Sequence, residues 1–168
     1  EGKRIRLKAT HKEMELSLTL VPGKPLVLHG ENGLSRKGPK PGQASYYYSF
    51  TELLSEGKLK VSGLPKPLTV KGVSWFDQEF GSNQLSADQV GWDWFGLHLS
   101  DGRDLMIYFL RKEDGTLEAT SSGTLVEKDG RPYHLNLSSL RVTVQEQWKS
   151  PRTNAFYPSK WRIEIPSA

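Results

Sequence analysis

From Met14 the chain alternates strictly: Met14, Leu16, Leu18 and Leu20 occupy one parity, and Glu15, Ser17 and Thr19 the other. A period of two describes a strand with one buried and one wet face. The pattern returns at Leu59 and Val61 between lysines, at Val142 and Val144, and at Trp161, Ile163 and Ile165 against Arg162 and Glu164. Strands of this kind belong to antiparallel sheets. The turn dipeptides Asn32-Gly33, Glu56-Gly57, Asp101-Gly102, Asp114-Gly115 and Asp129-Gly130 separate them. The last three predict a meander of hairpins, because Asp-Gly supplies the positive φ that tight turns need. No long window carries a helical period. Phe50 to Ser55 reads as a short helix or a bulged strand, and Gly38 to Gln43 and Ser82 to Val90 read as connectors. The expected fold class is all-β, an antiparallel barrel or sandwich.

Three segments depart from the one-wet-face rule: Val73 to Phe80, Trp92 to Leu99, and Leu105 to Leu110, the last apolar at six consecutive positions. A strand that is apolar on both faces has to be covered on both. A lone small barrel hides only the inward parity, so the outer side of these strands calls for a helix, a second barrel or a partner.

Composition narrows the function classes. The chain has 168 residues, a formal charge of +4 and no cysteine, which excludes disulfides, thiolate zinc sites and cysteine nucleophiles. No apolar run is long enough to span a bilayer as a helix, so no membrane span is expected in this segment. The basic patches at Lys3 to Lys12 and Arg36 to Lys40 lack interleaved aromatics. They read as solvated surface, and nucleic acid is not an expected partner. Neither a P-loop, a G-x-G-x-x-G nor a G-x-S-x-G is present. The loop Gly33 to Gly38 lacks phosphate-loop spacing and reads as an ordinary polar loop. No two histidines stand at short ligand spacing, so neither a metal nor another cofactor is expected.

The candidate chemistry lies in two aromatic segments. Trp75, Asp77 and Glu79 share one strand face, which sets two carboxylates beside an indole. In a low-dielectric interior such a pair is a route to a general acid, and the alternative is a carboxylate paired with a cation such as Arg103 or Arg111. Trp92, Trp94, Gly96 and His98 share a face of a second strand, where two indoles form a flat apolar wall for a ligand or shelter a cation by their π faces. Core packing is the alternative. Tyr46, Tyr47 and Tyr48 place hydroxyls on both faces of one strand. Tyr46 and Tyr48, of one parity, join the candidate ligand-binding set with Trp75, Trp92, Trp94 and His98.

These segments carry a resemblance. His29-Gly30, Gly33-Leu34-Ser35-x-Lys37-Gly38, Ala44 to Ser49, Gly72-Val73-Ser74-Trp75-Phe76-Asp77-Gln78-Glu79-Phe80-Gly81, Gly91-Trp92-Asp93-Trp94-Phe95 and Trp148-x-Ser150-Pro151 occur in one order. Together they resemble the AttH-like and carotenoid 1,2-hydratase (hydroxyneurosporene synthase) family, bacterial proteins often labelled predicted secreted hydrolases. The resemblance implies a calycin built from two packed lipocalin-like barrels. It implies that residues 1–81 are the later part of a first lipocalin-like domain, 82–90 a connector and 91–168 the earlier part of a second. The alternative is one closed barrel over 1–168. Further N- and C-terminal segments of the same protein are implied as partners, and a secreted or periplasmic location, with membrane association through a signal or anchor upstream. The chain has Gln78 where many members carry His and Phe80 where many carry Trp.

The resemblance leaves three functional readings. The first is a lipocalin-like envelope protein that binds a hydrophobic small molecule, a lipid or isoprenoid, in lipid metabolism or export. The second is an enzyme: a hydro-lyase adding water to an isoprenoid double bond, or a hydrolase. There Asp77 is the general acid, Trp75 the cation-stabilising wall, and Glu79 or a tyrosine the group that positions water. In the third, Asp77 and Glu79 are purely structural. Which way Asp77 points discriminates among them.

Overall fold

The computed structural model describes residues 4–81 and 85–166. Within them the chain runs through β1 (Ile5–His11), β2 (Met14–Pro22), β3 (Val27–Leu28), β4 (Leu34–Arg36), β5 (Ala44–Val61), β6 (Leu68–Phe80), β7 (Gln89–His98), β8 (Asp104–Lys112), β9 (Ser122–Val126), β10 (Pro132–Asn136), β11 (Arg141–Lys149) and β12 (Phe156–Glu164). One 3-10 turn, Leu137–Ser139, precedes β11. All strand pairings are antiparallel, in keeping with the expected all-β class. Strands β1 to β6 form one sheet, β7 to β10 a second, and β11 with β12 a third.

The long strand β5 is the spine of the first sheet. Its second half pairs with β2, its first half with β3 and β4 on the same edge, and its other edge takes β6. A register shift between Phe50 and Leu53 makes the ambiguous stretch a bulged strand rather than a helix. Glu56-Gly57 is not a turn: both residues lie inside β5, with Gly57 opposite Leu18. A Cβ on Gly57 would overlap the Ser17 carbonyl oxygen, so the glycine serves the close approach of β2 and not a reversal. The three Asp-Gly pairs do form the reversals of the β7 to β10 meander, and their glycines have φ of 82°, 82° and 87°.

The sheets meet across β8. Met106, Tyr108 and Leu110 pack against Tyr47 of β5, with Trp75 beside them. Leu105, Ile107 and Phe109 face the other way, into a cluster with Leu140, Phe95, Val142 and Ile163. Residues Asp104 to Leu110 are therefore all buried, as the unbroken apolar run requires. The described residues do not cover the other two segments on both faces. Val73 and Phe80 of β6 remain 51% exposed, and Trp92 of β7 60% exposed.

On β5 the burial runs opposite to polarity. Ser45, Tyr47, Ser49, Thr51, Leu53 and Ser55 point inward and are buried, whereas Tyr46 and Leu54 of the other parity are exposed. Outside, Tyr46 stacks on Phe80, and Phe76 contacts both Tyr48 and Phe50. A buried row of hydroxyls persists only where every member finds a partner. Those partners make up the site.

Candidate functional site

Asp77 lies on β6 beside the inner face of β5, with its Oδ1 accepting from two neutral donors. Trp75 Nε1–H donates over 2.8 Å, and the Ser49 hydroxyl donates from the register partner across the sheet. Among the described residues Asp77 forms no ion pair; Arg103 is engaged with Asp101 and Glu127, and Arg111 lies against Asp93. The carboxylate is oriented without being neutralised, and its residue stays open to solvent.

Behind Ser49 stands His29, 1% exposed. Its Nε2 is 2.7 Å from Ser49 Oγ and its Nδ1 is 2.9 Å from Thr124 Oγ1. Ser49 has spent its single hydrogen on Asp77, so Nε2 must carry the proton and donate, while Nδ1 accepts from Thr124. The tautomer thus follows from the network. Burial, then the charges of Lys37 and His134, press the imidazole pKa down to about 3, so His29 is neutral at physiological pH. The line Thr124–His29–Ser49–Asp77–Trp75 links the second sheet to the first.

Beside this line opens a cavity of about 380 Å³ lined by Lys37, Tyr47, Glu79, Trp92, Trp94 and Tyr108. Tyr47 lies on the inner parity of β5 and accepts from Trp94 Nε1 over 2.9 Å. Burial, followed by the neighbouring Asp77 charge, pushes its phenol pKa well above the ordinary value, against the smaller opposing effect of the Trp94 bond. Tyr47 is therefore a neutral hydroxyl. Lys37, 5% exposed, has its ammonium 2.8 Å from Glu79 Oε1 and 3.7 Å from the centre of the Tyr108 ring. Glu79 Oε1 also accepts from Ser45 over 2.5 Å.

A buried carboxylate positions His98. Asp104 is 2% exposed; its Oδ2 accepts from Lys24 Nζ at 2.7 Å and Thr51 at 2.8 Å, and its Oδ1 is 2.7 Å from His98 Nδ1. A carboxylate so surrounded by donors makes Nδ1 of His98 the protonated nitrogen and leaves Nε2 to other partners. The ring lies 5.7 Å from that of Trp75, and Trp75 meets Trp94 edge-on at 6.2 Å. Gly96 between Trp94 and His98 leaves room for the Trp94 ring: an added Cβ would lie 2.5 Å from Trp94 Cη2.

The structure thus brings Trp75, Asp77, Glu79, Trp92, Trp94 and His98 to one side of the paired sheets. It places Tyr46 and Tyr48 on the other face of β5, where Tyr46 stacks on Phe80 and Tyr48 lies tilted against Phe76. Lys37 and Ser35 correct the sequence reading, since neither is solvated surface nor part of an ordinary polar loop. Ser35 is buried in β4, 2.9 Å from the Tyr108 hydroxyl, and Lys37 follows directly on that strand. Their carbon stems and hydroxyls are hidden because β4 pairs with β5 at the cavity wall. His29, Tyr47 and Ser49 were not singled out as site residues either. The available signal was their shared setting on the inner parity of β5 and directly after its β3 neighbour, where polar residues recur. No group of three or more metal-ligating side chains occurs among the described residues.

Comparison with known proteins agrees with this architecture. The dehydratase asqC of Emericella nidulans is 24% identical over 169 residues, covering 97% of this chain and 46% of its own length. The crystal structure of an AttH protein from Nitrosomonas europaea superposes with a TM-score of 0.86 at 34% identity, covering 96% of this chain and 50% of that one. Kievitone hydratase from Nectria haematococca shares the fold, with a TM-score of 0.71 at 18% identity over 97% of this chain and 49% of that one. The chain therefore spans about half the length of these relatives. The sequence pattern of the AttH-like family matches residues 1–168 throughout, and the chain belongs to that family.

Proposed function

We propose that this chain contributes an acid–base site for adding water to, or removing it from, an apolar unsaturated substrate. The observation that carries the reading is Asp77: a carboxylate held by Trp75 and Ser49, with no ion-pair partner among the described residues, beside two indoles in edge contact. A structural carboxylate at a sheet junction is normally paired with a cation, as Asp104 is with Lys24. Relatives named as a dehydratase and a hydratase favour this chemistry over simple lipid carriage.

The residues divide the work as follows. Asp77 in its acid form gives a proton to an olefinic carbon, and the π electrons form the new C–H bond. The carbocation left on the neighbouring carbon faces Trp75 and Trp94, whose π faces stabilise it. Water adds to that carbon, and His98 Nε2 takes the proton it sheds, with Asp104 stabilising the imidazolium. Solvent returns the proton from His98 to Asp77. Run backwards, the same groups dehydrate a tertiary alcohol.

An Asp77→Asn variant tests this division of labour. Turnover is expected to fall by about 10² to 10⁴, the usual worth of a general acid, while affinity for the apolar ligand stays within about twofold. Equal loss of binding and turnover would make Asp77 a ligand contact, and unchanged turnover would remove it from the chemistry.

A further inference from the structure

One part of the cavity wall has a feature that apolar binding does not use. Lys37 is fixed at both backbone groups: its N–H donates to Gln43 O at 2.8 Å, and its carbonyl accepts from Gln89 Nε2 at 2.6 Å. The side chain runs beneath Tyr108 and ends against Glu79. An ammonium carries three donors. One reaches Glu79 Oε1, which Ser45 also fills, so both of these bonds fall on one carboxylate oxygen and neither on Oε2. The pair is neutral overall, and both partners line the cavity together with Trp92 and Trp94.

We infer that Lys37 and Glu79 form a head-group site that selects an apolar ligand carrying a neutral hydroxyl, and that discriminates against a carboxylate. The hydroxyl oxygen accepts from a Lys37 N–H, and its hydrogen goes to the Glu79 carboxylate. A hydroxyl satisfies both with a single atom. A ligand carboxylate would gain from Lys37 but would lie against the Glu79 charge, and a plain hydrocarbon would offer the pair no hydrogen bond. Leu85, Leu110 and the two indoles hold the apolar body. The inference rests on this cavity being the ligand site of the proposed function, and it assigns the ligand's polar end rather than the reacting bond.

The test is competition binding followed by ligand-observed NMR with three matched probes: naphthalene, 2-naphthol and 2-naphthoate. The unmodified chain is expected to bind 2-naphthol about tenfold more tightly than either of the others. In Lys37→Met the preference shrinks to within about threefold, because the donor is gone. In Glu79→Gln the order turns toward 2-naphthoate, because Lys37 is left uncompensated. Each variant carries the test alone if the other does not fold. If naphthalene and 2-naphthol bind equally, or Glu79→Gln keeps the original order, the head-group site is overturned while the cavity stands. If none of the three binds, the cavity reading falls and the inference falls with it.

Discussion

His29 shows most directly how a single residue is set by its surroundings. In the unfolded chain its imidazole takes a proton as pH falls below about 6.5, whereas in the folded protein it resists until about 3. Between those values the unfolded state binds more protons, so stability is complete above about 6.5 and is lost as pH falls toward 3. The loss is about 1.4 kcal/mol per pH unit where the difference is fully developed. Urea midpoints for the unmodified chain should therefore drop between pH 7 and pH 4.5, and His29→Gln should flatten that part of the profile while lowering stability at pH 7. Identical slopes for both proteins would mean that His29 is not the titrating group. Spacing alone made Trp75, Asp77 and Glu79 readable as one face, because residues two apart on a strand are neighbours. His29, Lys37 and Ser49 were not readable in that way. Their roles depend on partners 20 to 95 positions away, such as Ser49 and Thr124 for His29, which only strand pairing brings together.

Among elements, the hairpins were the most legible, since an Asp-Gly pair encodes its own turn. Glu56-Gly57 misled for a definite reason: glycine serves positive φ at turns and also close backbone approach within a sheet, and the dipeptide does not say which. Gly57→Ala separates the two uses. A turn glycine with room around it tolerates the change poorly only through φ. Gly57, by contrast, has an extended setting in β5, and its new methyl would strike the Ser17 carbonyl. The expected cost is about 1 to 3 kcal/mol, read as a lower denaturation midpoint, with Gly72→Ala on β6 as the control because nothing surrounds that position. Equal effects at both glycines would contradict the close-approach role. Strand β5 also shows why the shared parity of Tyr46 and Tyr48, which set them among the candidate ligand-binding residues, does not by itself give their face. Its inward row is hydroxylated and its outward row aromatic, the reverse of an ordinary half-buried strand.

For the whole molecule, the all-β class and the need for a two-sided cover over Leu105 to Leu110 followed from apolar pattern alone. The sheet-on-sheet contact across β8 supplies that cover and also sets the site, because it brings β5 and β6 of one sheet against β7 and β8 of the other. The proposed acid, indoles and imidazole thus come from different strands: Asp77 and Trp75 from β6, Trp94 and His98 from β7, with His98 held by Asp104 at the start of β8. In the proposed function these groups exchange water with an apolar substrate. The most direct measurement is mass spectrometry of apolar olefins incubated with the longest expressible form of the protein in oxygen-18 water. The expected result is a product heavier by one labelled water, absent with Asp77→Asn although the olefin still binds. Olefin bound and recovered unchanged by the unmodified protein, with no label in any tertiary alcohol run in the reverse direction, would contradict the claim and leave a binding protein in its place.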